Sequence, residues 1–306
     1  MAGGPNMAAL FLKSFLFVSR LFVRRIRWVL LIGSTLLLSA CGHLFYWPEP
    51  GLRGTPDQLD LPYRDVFIVN QQQQRLHGWW LEARLAEDQH QQGVIYFLHG
   101  NAENISTHFA ALNWITRHGW SVFILDYRGF GLSEGQPGIA GVHHDAYIGL
   151  LWVLEEAEAL QLPVVLFGQS LGAATSATLL GLAPEADQLA AVVLDSPFSG
   201  YRRIAREKMS ESWLLWAGQY PLSWLIRDDY SPERWIAQRP QNLPLLILHS
   251  CADAVVPCSH GQRLFQLAQE PKTYWQDEQA PHTGMLNQLY WRRQLLQWLE
   301  ERGITP

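Results

Sequence analysis

The stretch that most constrains this chain is Pro163 to Ala177, PVVLFGQSLGAATSA, where a short apolar run meets GQSLG and then a series of small residues. An apolar run of this length ending at glycine reads as a buried strand, and the small residues after it read as a helix pressed against a sheet. Ser170 then stands at the tip of the turn between them. That is the geometry of a nucleophile elbow, a strained strand-to-helix turn that lifts a serine hydroxyl above the sheet. Gly168 and Gly172 flank the serine because side chains there would collide with neighbouring backbone, and Ala173, Ala174 and Ala177 let the helix lie close. A glycine-rich loop is the bland alternative, since chance supplies roughly 0.1 copies of GxSxG in a chain of this length. The weight comes from the strand before and the helix after.

The same alternation runs along most of the chain. Two strand-like segments, Asp65 to Val69 and Leu76 to Glu82, are joined by the glutamine run 71–74, read as a solvated turn. Gly93 to Leu98, GVIYFL, is a continuous run of β formers and so a buried parallel strand. It ends in HGNAEN, and a helix is expected from there to about His118. A strand at Ser121 to Leu125 runs into DYRGFGLSEG, and a long helical pattern from Ile139 to Leu160 leads to the elbow. Beyond it come a strand at Leu189 to Leu194, a strand at Leu245 to Leu248 entered through Pro244, a helix near Gly261 to Gln269, a strand at Lys272 to Gln276 and a last amphipathic helix from Met285 to Glu301. Strands alternating with helices imply an α/β fold, a mostly parallel sheet with helices on both faces. The alternation breaks at 200–241, an insertion that suits a small helical cap over the strand ends. Its Trp213, Trp216, Trp224 and Trp235 either line a pocket or pack the cap on the body.

The N-terminus has a different character. Residues 1–40 hold Lys13, Arg20, Arg24, Arg25 and Arg27 and no acid, and the uncharged run Trp28 to Leu38 ends at LSAC. A basic region, a short apolar region and then small residues form a secretory signal pattern. The run is shorter than the roughly 18 residues that a spanning helix needs. LSAC followed by Gly42 resembles the lipobox of bacterial lipoproteins, which would make Cys41 the lipidated first residue, carrying a palmitate-type acyl chain. The expected organisation is therefore a signal peptide over 1–40, a Pro/Gly-rich tether over 41–62 and one domain over 63–306. The address that follows is the cell envelope, anchored by lipid and facing the periplasm, with Gly42 permitting the outer membrane; an uncleaved inner-membrane signal anchor is the rival. Without residues 1–40 the chain carries 18 basic and 28 acidic residues, a net of -10 that argues against nucleic acid as a partner. Cys251 and Cys258 flank one loop, and an oxidising compartment would permit either a bridge or two separate thiols.

A serine hydroxyl is a poor nucleophile at neutral pH and needs a base, which in turn needs a group to orient it. In this architecture the chain order is serine, acid, histidine, and catalytic groups gather at the carboxyl ends of strands. Asp253 lies just past the strand ending at Leu248, and His282 lies between the last strand and the last helix. His260 stands too near Asp253 in sequence, while His143 and His144 fall in a helical pattern where adjacent positions do not share a face. No metal-ligating constellation and no phosphate-cradling loop is present, so no cofactor is expected.

HGNAEN, DYRGFGLSEG, GQSLG, HSCADAVVP and PHTG occur in that order. Together they resemble the α/β-hydrolase superfamily, in the branch labelled serine aminopeptidase-like or Bem46-like, over about Asp65 to Gln297. HSCADAVVP matches the pattern HGxxDxxVP, departing from it where Ser250-Cys251 replaces the usual glycine. The resemblance implies the α/β-hydrolase fold, a catalytic triad of Ser170, Asp253 and His282, and an oxyanion hole formed by the backbone N–H groups of Leu171 and Asn101. It makes His99 a loop brace and pairs Asp126 with Arg128 in a structural turn. The expected activity is that of a serine hydrolase, a serine esterase acting on a small-molecule carboxylic ester, thioester or small amide. Two alternatives remain: an aminopeptidase using Glu207, Glu211, Asp228 or Asp229 to hold the substrate amine, and a lipid-anchored binding or assembly factor without turnover.

Overall fold

The computed structural model describes residues 45–304 except residue 88; the signal pattern, the lipobox and Cys41 lie outside the described residues. Eight strands form one sheet: β1 (Tyr63–Val69), β2 (Arg75–Leu81), β3 (Gly93–Leu98), β4 (Trp120–Leu125), β5 (Val164–Gln169), β6 (Ala191–Asp195), β7 (Leu245–Ser250) and β8 (Lys272–Asp277). Their spatial order is β8-β7-β6-β5-β3-β4-β2-β1. The six strands from β8 to β4 pair in parallel, while β2 pairs antiparallel with both β1 and β4. The strands β1 and β2 form a hairpin at the edge of the sheet, since a short turn can join only antiparallel strands. In that turn the Asn70 side chain accepts hydrogen bonds from the amides of Gln72 and Gln74.

Helices cover both faces, as the uninterrupted apolar strands require. They are α1 (Ile105–His108), α2 (Ile139–Leu160), α3 (Leu171–Leu182), α4 (Tyr201–Ser210), α5 (Gln219–Trp224), α6 (Pro232–Trp235), α7 (Ser259–Leu267) and α8 (Leu289–Glu300). Successive residues of one strand enter opposite cores: Val94, Tyr96 and Leu98 of β3 pack with residues of α2 and α3. Ile95 and Phe97 pack instead with Ile105, Phe109 and Leu112 and with Leu295 and Trp298 of α8.

Three expectations need amendment. The helix expected after HGNAEN is a single turn, α1, followed by 3-10 segments at Phe109–Ala111 and Asn113–His118. The buried residues Phe109, Leu112 and Ile115 recur every third position, which is the repeat of a 3-10 turn. Arg128 pairs not with Asp126 but with Asp145 of α2, at 2.7 Å with both side chains buried. Asp145 also takes the Arg128 amide at 2.9 Å. In the 200–241 insertion only Trp235 is half-buried; Trp213, Trp216 and Trp224 are exposed. They neither pack the insertion on the body nor line an enclosed pocket.

From Phe45 onward the segment expected to be a tether lies along the body. Trp47–Pro48 forms a two-residue parallel pair with Ala102–Glu103. The amide of Trp47 donates to the carbonyl of Asn101 at 2.9 Å, and the Asn104 side chain donates to the carbonyls of Glu49 and Gly51.

Candidate active site

The site is built at the carboxyl ends of the parallel strands. β5 ends at Gln169 and α3 starts at Leu171, so one residue makes the whole turn, and Ser170 adopts φ 53° and ψ -113°. A non-glycine residue with positive φ is strained by about 1–3 kcal/mol and persists only where its surroundings hold it. The flanking glycines show what holds it. A Cβ on Gly168 would stand 2.5 Å from the carbonyl oxygen of Gly172, and one on Gly172 would stand 1.9 Å from that of Leu98. The elbow closes only because both positions lack a side chain. The amide of Ser170 is tied to the carbonyl of Asp195 at the end of β6, at 2.8 Å.

Asp253 lies on the loop after β7. Its Oδ1 accepts from the amides of Val255 and Val256, both at 2.8 Å, and its Oδ2 lies 2.6 Å from His282 Nδ1. A carboxylate with both oxygens so engaged is fixed in place. Burial pushes its pKa up, but the hydrogen bond and charge of His282 and the two amides outweigh burial and hold it below the ordinary carboxylate value. Asp253 is therefore ionised and can only accept, so Nδ1 of His282 carries the proton and Nε2 is left as the acceptor. The loop is further clamped by a disulfide between Cys251 and Cys258, by the Cys251 amide on the carbonyl of Asp277, and by His249 Nε2 on the carbonyl of Val256 at 2.9 Å. These contacts anchor the loop on either side of Ser250-Cys251, where the sequence departs from the HGxxDxxVP pattern.

Ser170 and His282 come from elements distant in sequence and are linked through β6. The Thr283 amide donates to Ser196 Oγ at 3.2 Å, and Ser196 follows the Asp195 whose carbonyl holds Ser170. No hydrogen bond joins Ser170 Oγ to His282 among the described residues. A bond of this kind often tightens only when substrate fills the site. Gly100 reaches the serine from the loop after β3: a Cβ there would lie 4.0 Å from that of Ser170. Next to it is Asn101, and among the described residues neither its backbone N–H nor that of Leu171 donates to a protein acceptor. Two unspent donors beside a strained serine are what an oxyanion requires.

Sequence reasoning missed the layer behind Asp253 and His282. Asp195 is fully buried, and burial pushes its pKa up to about 6 against the opposing pull of Gln169 and His282. It accepts from Gln169 Nε2 at 2.9 Å and from Ser196 Oγ at 3.1 Å. Ser196 and Thr283, which hydrogen-bond each other, both have φ of 53°. Only the chain order DSP at the end of a strand could have signalled Asp195, and nothing marks the two strained residues.

His99 braces its loop as expected: it is buried, with Nδ1 on the carbonyl of Gly100 at 2.8 Å and the Tyr127 hydroxyl on its own carbonyl at 3.1 Å. Burial lowers its pKa to about 4 and raises that of Asp126 to about 7. Asp126 Oδ1 lies 3.3 Å from His99 Nε2. Burial dominates both groups, and we assign the pair as neutral, the carboxylic acid facing the imidazole. His143 is buried with Nδ1 on the carbonyl of Ile139, and His260 is held between Ser199 and Glu207. Neither reaches the site.

Residues 89–236 match the family described as serine aminopeptidase, S33. The uncharacterized protein YfhR of Escherichia coli (strain K12) is 33% identical over 230 residues, which is 75% of this chain and 76% of that one. The lysophosphatidylserine lipase ABHD12 of Danio rerio is 30% identical over 216 residues, 64% of this chain and 54% of that one. Among solved structures, the Pyrococcus furiosus esterase Pf2001 superposes with a TM-score of 0.65 over 85% of this chain and 98% of its own, at 19% identity. At that identity the likeness speaks for the fold. Fold and relatives agree, and the chain belongs to the serine aminopeptidase S33 family of α/β hydrolases.

Proposed function

We propose that this hydrolase cleaves a carboxylic ester or thioester through an acyl-enzyme on Ser170. The observation that carries the proposal is the oriented pair, Asp253 Oδ2 at 2.6 Å from His282 Nδ1, linked through β6 to a serine in a strained elbow. His282 Nε2 takes the proton of Ser170 Oγ as that oxygen attacks the acyl carbon. The oxyanion that develops is received by the N–H groups of Leu171 and Asn101. The proton then passes to the leaving oxygen or sulfur, and water repeats the sequence in reverse with His282 again as base. Asp253 holds the required tautomer and stabilises the imidazolium. Losing one oxyanion donor typically costs about 10² to 10³ in rate.

Esters are favoured over peptides by what the insertion's carboxylates already do. Glu207 is bonded to His260, Glu211 to Lys208, Asp228 to Arg234 and Ser231, and Asp229 to Arg227. Each of the four acids that could hold a substrate amine already has a protein partner. The Danio rerio relative, named a lysophosphatidylserine lipase, supports a lipid ester as the substrate. We further propose that the chain works at the cell envelope, anchored through Cys41. Palmitate incorporation abolished by Cys41→Ala is the expected result, and incorporation surviving it overturns the anchor.

A fluorophosphonate probe tests the chemistry. It is expected to label the wild-type chain and to leave Ser170→Ala unlabelled. No labelling of the wild type, or equal labelling of both, refutes acyl transfer to Ser170 and favours a binding factor.

A further inference from the structure

The insertion contains fifteen consecutive residues without a charge, Ser212 to Ile226. A water-facing segment of this kind would turn its apolar side inward. Here the arrangement is inverted: α5 buries only Ser223, whose hydroxyl satisfies the carbonyl of Tyr220 at 2.8 Å, and the 3-10 turn Trp216–Gly218 buries nothing. The large side chains face out, Trp213 at 89%, Trp216 at 62% and Trp224 at 71% exposed, with Leu214 and Tyr220 beside them in the same segment. The three tryptophans alone expose about 330–560 Å², at 150–250 Å² for a whole aromatic side chain. Soluble monomers rarely leave contiguous apolar patches beyond a few hundred Å² unless the patch meets a partner.

We propose that Ser212–Ile226 is a docking element for the interfacial layer of a phospholipid membrane. Three observations choose this occupant. Tryptophan and tyrosine are the residues that settle at the headgroup level of a bilayer, where the ring is apolar and its N–H or O–H stays wet. The charge is of the matching sign: residues 200–241 carry 7 basic against 5 acidic side chains, +2 in a chain whose net is -5. A basic group also lies at the patch, the Arg206 guanidinium 5.8 Å from the Tyr220 ring, while the flanking Lys208 and Arg227 are each paired with an acid, Glu211 and Asp229. A polar face rich in Arg and Lys beside exposed Trp and Leu is the composition of an interfacial segment, drawn to anionic headgroups.

The third observation is where the rest of the chain leaves the body. Phe45, the first described residue, packs edge-on against Tyr201 at the start of α4, with ring centroids 5.2 Å apart. Two residues on, Trp47 is 65% exposed. The leading segment, with its uncharged run Trp28 to Leu38 and five basic residues, joins the body at the foot of the insertion. Anchoring through that segment, as proposed above, would hold the domain that carries the insertion at a lipid surface. The proposal is independent of the chemistry at Ser170, because docking needs no turnover.

The test uses the full chain, reconstituted in phosphatidylglycerol-containing vesicles whose phospholipids carry brominated acyl chains that quench tryptophan. Trp28→Phe is introduced throughout to silence the leader. In that background, Trp213→Ser/Trp216→Ser/Trp224→Ser is expected to reduce the quenched emission by about twofold or more, the share of interface-seated tryptophans. Circular dichroism melting is expected to be unchanged, since the replaced side chains are exposed. Quenched emission equal in the two proteins overturns the proposal. So does a dimer in detergent that the triple variant dissolves, which would make the patch an interface between two copies. A Ser170→Ala chain is expected to dock like the wild type, so failure of docking and failure of acyl transfer are read separately.

Discussion

Replacing Asp253 by asparagine changes one atom and isolates the role of the acid. In the wild type, Oδ1 takes two amides at 2.8 Å and Oδ2 takes His282 Nδ1 at 2.6 Å. Asparagine keeps its oxygen on the two amides, because turning it would set NH₂ against N–H. The amide nitrogen then faces His282 and donates to it, which forces the proton from Nδ1 to Nε2. An imidazole protonated at Nε2 cannot accept the proton of Ser170. A wrong tautomer at this position costs about 10⁴ in kcat, or about 5.4 kcal/mol at 1.36 per decade. The assay is hydrolysis of p-nitrophenyl esters of increasing chain length, with fold checked by circular dichroism. Stability should show a matching pH signature. Because the folded-state pKa of Asp253 is depressed, its contribution is present above the unfolded value of about 3.9 and is lost as pH falls through the folded value. The stability gap between wild type and Asp253→Asn should therefore be widest near neutrality and shrink below about pH 4. A variant that keeps more than about a tenth of the wild-type kcat refutes the assignment, since no oxyanion hole alone supplies that much.

Two further outcomes follow from packing and burial. Gly172→Ala places a Cβ 1.9 Å from the carbonyl oxygen of Leu98, and overpacking of that kind should cost about 3 kcal/mol in urea denaturation and lose fluorophosphonate labelling. Asp126, raised to about 7 by burial, binds a proton that the unfolded chain releases near pH 3.9, so its contribution is full at acid pH and lost as pH rises through 7. Asp126→Asn should remove that loss, gaining on the wild type by about 2.6 kcal/mol between pH 5 and pH 8 in urea titrations. A constant difference across that range would show that Asp126 is ionised in the folded chain.

The parts of the site that sequence reveals are those whose physics is local. Gly168 and Gly172 are legible because the turn around Ser170 is made by neighbours in the chain. Asp253 and His282 are legible because strand ends and chain order confine them. The partner of Arg128 is not, since Asp145 lies 17 residues on and reaches the loop only once α2 has packed on the sheet. The outward tryptophans of the insertion are illegible for another reason. Hydrophobic pattern marks which residues share a face, and cannot say whether protein or something else covers that face. Ser196 and Thr283 escape because neither residue type signals a positive φ; only the convergence of β6 with the loop after β8 imposes it.

The pairing of Trp47–Pro48 with Ala102–Glu103 sets where the folded unit begins. A chain started at Tyr63 would hold all eight strands and the three side chains of the proposed triad. It would still be missing the Trp47 amide from the carbonyl of Asn101, the two carbonyls that occupy the Asn104 side chain, and the fully enclosed ring of Tyr46. The loop bearing one proposed oxyanion donor would then lack its outer wall. Anything that pulls on the chain at Phe45 pulls first on that wall, which makes the entry of the chain into the fold and the shape of the loop at Asn101 mechanically one object.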